Sequence, residues 1–137
     1  KDRSYGGNLK KVVRLMKNIV ADMPDYKKKV AKKLTSFDLT SIAYHMDAKL
    51  TCPECFPLLL LHNLDIWLEK LKDDKSLRGS LKSPDNVQLI FNSVEKDDAP
   101  EILSKEVSDL AASVYRDLYP YDSEKDIIKL VYKSIYI

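Results

Sequence analysis

Lys10, Arg14 and Lys17 recur at i, i+4 and i+7, a spacing that stacks three cations along one stripe of a helix. The apolar face of the same segment (Leu9, Val13, Met16, Val20) lies beside that stripe. Cations at the edge of hydrocarbon are partly shielded from water and hold an anion better than fully exposed ones. A unit-charge pair at ~4 Å is worth about 1 kcal/mol in water and about 4 kcal/mol at an effective dielectric of 20. The plainer alternative is three solvated heads on snorkelling stems. A second constellation is Thr35-Ser36-Phe37. A hydroxyl at a helix N-terminus, with free backbone N–H groups and the positive dipole end, suits a phosphate, and an aromatic beside it can stack on a base. Read as plain structure, Thr35 and Ser36 are caps and Phe37 is core.

The third constellation is Cys52-Pro-Glu-Cys55, flanked by His45 and His62 at six intervening residues on either side. Two Cys and two His can hold a tetrahedral zinc. The other reading is a pair of reduced thiols and a packed histidine. No Gly-rich phosphate loop, no Gly-Ser turn with a following Asp-x-Asp and no Ser/His/Asp set in a plausible context is visible. Metal-dependent phosphoryl transfer needs converging carboxylates. Without them this chain is expected not to catalyse alone.

These groups must be positioned by helices. Asn8 is the expected cap of a first helix running to about Asp22, with Pro24 as its stop and Leu9, Val12, Val13, Met16, Ile19 and Val20 as its apolar face. The Lys27-Lys28-Lys29 and Lys32-Lys33 clusters then read as a charged loop. Thr35 with Asp38 makes a capping box for a second helix, with Phe37, Leu39, Ile42, Ala43 and Met46 expected inside. A third helix, about Pro57 to Lys72, is apolar nearly all round at its start and belongs at a bundle centre. Between Asp73 and Lys96 turn residues dominate, and Val87 to Phe91 reads as a short extended segment. Pro100 suits a first helical position, followed by a stripe of Leu103, Val107, Leu110, Ala111, Val114 and Leu118. A last helix carries Ile127, Leu130, Val131 and Ile135. The expectation is an all-α bundle of about five helices with one short extended segment, residues 1–137 forming a single domain.

Composition agrees with that. The chain has 137 residues, 45% hydrophobic and 32% charged, with only 3 Gly, which argues against disorder and against a turn-rich β architecture. Its longest apolar run, Phe56 to Leu61, is far short of the ~20 residues a membrane span needs. A cytoplasmic setting is expected, and the opening Lys1 suggests a fragment of a larger protein. The formal net charge of +2 hides a basic first third. Residues 1–33 hold eleven Lys/Arg against three Asp. Such asymmetry points to an anionic partner.

The run Gly6-Gly7-Asn8-Leu9-Lys10-Lys11-Val12-Val13-Arg14-Leu15-Met16-Lys17-Asn18 resembles the first helix of a C-terminal helical domain found in template-independent nucleotidyltransferases of the DNA-polymerase-β-like superfamily. Within it the resemblance is to the branch of oligoadenylate synthases and bacterial cyclic-oligonucleotide synthases of antiphage defence. Leu34-Thr35-Ser36-Phe37-Asp38-Leu39, with Ile42-Ala43-Tyr44-His45-Met46 behind it, is similar to that domain's next helix, and the likeness spans about residues 5 to 119. The resemblance implies that Lys17 contacts a nucleotide triphosphate, that Ser36 also touches it, and that Phe37 stacks on the base where relatives usually carry tyrosine. It implies an NTP (ATP among the candidates) with Mg²⁺ held by a catalytic N-terminal domain preceding Lys1. It also keeps a zinc module at His45, Cys52, Cys55 and His62 in view, although the residue order differs from the family's. The competing expectation is a non-catalytic helical module that binds nucleic acid or a protein partner through its basic third.

Overall fold

A computed structural model describes residues 7–46 and 57–118. Among them run six α-helices: α1 (Asn8–Ala21), α2 (Asp25–Ala31), α3 (Ser36–Tyr44), α4 (Pro57–Asp73), α5 (Lys75–Ser80) and α6 (Ala99–Leu118), with one 3-10 turn at Val94–Lys96. The fold is all-α. Cys52, Cys55 and the expected last helix lie outside the described residues.

Hydrophobic periodicity explains the packing. Leu64, Leu68 and Leu71 of α4 and Leu103, Val107, Ala111 and Tyr115 of α6 are sequestered from water, and these two helices form the most extensive helix pair. Val12, Met16 and Val20 close the core from α1, and Leu39, Ile42 and Ala43 from α3. Tyr115 replaces Leu118 in the predicted α6 stripe. Leu118 is exposed, and Tyr115 stands one turn beyond Ala111 on the buried side. The indole N–H of Trp67 donates to the Ile42 carbonyl at 3.0 Å, satisfying a polar atom while joining α4 to α3.

Several local expectations are corrected. Asn8 does not cap α1; it is buried in the first turn, and Gly7 is the cap, at φ 81. Glycine takes that left-handed conformation at little cost. Residues 25–31 are a helix rather than a charged loop. Pro24 supplies its start, Asp25 sits at the positive dipole end and Lys28 and Lys29 at the negative end. The Lys27 ammonium reaches Glu106 of α6 at 2.6 Å. Phe37 is not core but 54% exposed. At 100° per residue it stands roughly 170° round α3 from the centre of Leu39, Ile42 and Ala43.

Between α4 and α6 the chain is short-range structure. Asp74 caps α5 by accepting from the Leu77 N–H at 2.9 Å, and the Arg78 guanidinium donates to the Leu71 and Lys72 carbonyls at 2.7 Å each, closing the end of α4. The predicted extended segment is reduced to one antiparallel bridge, Lys82 to Leu89, with the Ser83 N–H donating to the Gln88 carbonyl at 2.7 Å. Pro100 is the second residue of α6 rather than the first.

Candidate functional site

Where α1 passes α3 the two helices leave a groove of about 420 Å³ lined by Leu9, Lys10, Val13, Arg14, Lys17 and Thr40. The predicted cation stripe is therefore one wall, the edge of the apolar face is the floor, and α3 supplies the opposite wall. Among the described residues Arg14 and Lys17 carry no ion pair, so their charge is available to a ligand. Lys10, Arg14 and Lys17 are all exposed, so the partial shielding expected from the sequence is not found, and what the groove offers an anion is cations gathered along one wall.

Ser36 and Phe37 do not line the groove, but α3 brings both close to it. The Thr40 hydroxyl, one turn on, donates to the Ser36 carbonyl at 2.9 Å. Around the helix axis the direction of Thr40 falls between those of Ser36 and Phe37, which lie within about 6 Å of it along the axis. Both are exposed. Thr40 was not singled out from the sequence. Its available signal was the hydroxyl four residues after Ser36.

The start of α3 differs from a bare phosphate seat. The Asp38 N–H donates to the Thr35 hydroxyl at 3.1 Å and the Thr35 N–H donates to the Asp38 carboxylate at 2.9 Å, the expected capping box. The helix ladder begins with the Leu39 N–H on the Thr35 carbonyl, which leaves the Ser36 and Phe37 amides at the open end. The box also puts a carboxylate there, and the Lys96 ammonium pairs with it at 2.9 Å.

The remaining basic residues behave differently from the stripe. Lys27 is paired with Glu106, and that hydrogen bond holds its ammonium above the ordinary lysine range despite some desolvation. Lys33 lies 3.6 Å from Glu95. Part of the basic third is thus committed to internal ion pairs.

For zinc, His45 terminates α3 and its Nε2 lies 2.5 Å from the Lys82 carbonyl, the arrangement of a ring N–H donating to backbone. Its ring meets Tyr44 edge-on at 5.7 Å. His62 is buried in α4. No three His, Cys, Asp or Glu side chains gather among the described residues. None of the described helices is long and apolar enough to cross a membrane.

Comparison with known proteins adds two findings. A family model described as the cGAS/DncV-like nucleotidyltransferase C-terminal helical domain matches residues 1–110. The chain is also similar to the solved structure of a STING-associated CdnE c-di-GMP synthase from Capnocytophaga granulosa, with 27% identity and a TM-score of 0.69 over 82% of this chain. It spans 35% of that protein's chain. No curated protein sequence matches.

Proposed function

This chain belongs to the cGAS/DncV-like nucleotidyltransferase C-terminal helical domain family, and from that premise we propose that its α1–α3 groove clamps the triphosphate and base of a nucleotide for transfer by a catalytic domain of the same protein. The observation that carries the reading is the groove itself, where Arg14 and Lys17, without internal ion pairs among the described residues, stand over an apolar floor and face α3. In this assignment Lys17 and Arg14 bind phosphate oxygens, and the Ser36 hydroxyl donates to the same group. Phe37 offers a ring face to the base. Stacking tolerates any base, so Phe37 orients the nucleotide without selecting it. Phenylalanine has no hydroxyl, so the Phe37 side chain makes no hydrogen bond to sugar or phosphate.

The described residues bring no set of metal-ligating side chains together. Following the family resemblance, we assign Mg²⁺ binding and the chemical step to the catalytic domain, and the role proposed for this chain is to hold and orient. The similar c-di-GMP synthase suggests a product class, and we assign the whole protein to cyclic-dinucleotide synthesis.

Titration of the full-length protein with GTP, ATP and inorganic tripolyphosphate tests the assignment. The R14A/K17A double variant is expected to lose most affinity for all three, and unchanged affinity overturns it. A diffuse nucleic-acid-binding module would instead bind duplex DNA with a steep salt dependence that R14A/K17A lowers by only about two charges. The pairing of Lys27 and Lys33 with Glu106 and Glu95 weighs against that alternative.

A further inference from the structure

Asp38 presents a conflict at the candidate site. Its carboxylate is required where it stands, because it accepts the Thr35 N–H and completes the capping box of α3. Yet it sits two residues from Ser36, whose hydroxyl is assigned above to the polyphosphate, and a fixed negative charge at that end of the helix repels the ligand. The conflict is answered from far away in sequence. Lys96, at the end of the 3-10 turn, places its ammonium 2.9 Å from the Asp38 carboxylate and 3.2 Å from the Ile90 carbonyl. Both side chains are largely withdrawn from water, at 15% and 9% exposure, so the pair is weakly screened and well held. No other cation among the described residues pairs with Asp38.

We infer that Lys96 is a positioning residue for the polyphosphate site, cancelling the charge of the Asp38 carboxylate so that one helix end is both capped and receptive to an anion. The inference rests on the function proposed above. It makes the 81–98 segment, which contributes nothing to the groove lining, part of the binding apparatus. Removing either partner breaks one ion pair, so a purely structural role makes both single variants weaker binders. Charge cancellation makes them move in opposite directions. A unit charge ~8 Å from a phosphate, at an effective dielectric of ~40, changes affinity about fivefold.

The experiment is titration of full-length protein with inorganic tripolyphosphate, with a thermal melt of each variant. K96M leaves the carboxylate uncompensated, and its affinity is expected to fall about fivefold. D38N keeps an acceptor for the Thr35 N–H and frees the Lys96 charge. It is expected to bind about fivefold tighter even though it melts lower. D38N/K96M, in which neither charge remains, is expected to bind within twofold of wild type, and it substitutes for K96M if that variant does not fold. Weaker binding by D38N, or an affinity unchanged in K96M, overturns the inference while leaving the groove assignment intact. Wild-type protein that takes up no tripolyphosphate overturns both, and loss in R14A/K17A alone supports only the groove.

Discussion

Replacing Phe37 with alanine separates base binding from phosphate binding. Phe37 is 54% exposed, lies on the side of α3 away from Leu39, Ile42 and Ala43, and contributes little to the core. A buried phenylalanine truncated to alanine costs about 3–5 kcal/mol of stability, whereas this one is expected to change the melting temperature by no more than about 1–2 °C. Stacking on a base is worth ~1–3 kcal/mol, which corresponds to a loss of roughly 5- to 150-fold in affinity for GTP or ATP. Tripolyphosphate has no ring, and its affinity is expected to stay within twofold. Calorimetric titration of wild type and F37A with both ligands, beside a melt of each protein, gives the comparison. An equal loss for both ligands refutes the stacking role, and a melting temperature lowered as by a core deletion refutes the placement.

Met16 is fully buried in α1, and M16A is expected to cost about 2–5 kcal/mol in urea unfolding. T35V removes the hydroxyl that caps α3 and is expected to cost ~0.5–2 kcal/mol, with unchanged stability refuting the capping box as a stabilising element. At Gly7 a Cβ meets no atom within 4 Å, so the expected loss of about 1–2 kcal/mol in G7A comes from the left-handed backbone alone. Because the Glu106 hydrogen bond raises the Lys27 pKa, its stabilisation is complete below the unfolded value of 10.5 and is lost as pH rises through the folded value. E106Q is therefore expected to flatten the decline in urea midpoint as pH rises above the unfolded value of 10.5, and a decline equal to wild type refutes that link.

What the sequence by itself determined is local or periodic. The helices of 14 to 20 residues (α1, α4 and α6) were legible because their apolar spacing repeats over several turns, and α3 because Thr35 and Asp38 announce its start. The Lys10, Arg14 and Lys17 stripe follows from helical spacing alone. The seven residues of α2 and six of α5 were missed because so short a helix offers no period and is marginal without tertiary partners, which Lys27–Glu106 supplies for α2. Only the tertiary structure decided that the stripe faces Thr40 across a groove, since chain spacing does not specify which helix covers which face. Packing likewise turned Phe37 outward, because Leu39, Ile42 and Ala43 had taken the buried side of α3. The union of Asp38 with Lys96 joins residues far apart in the chain, and an attraction between such distant charges acts only after folding has withdrawn both from water.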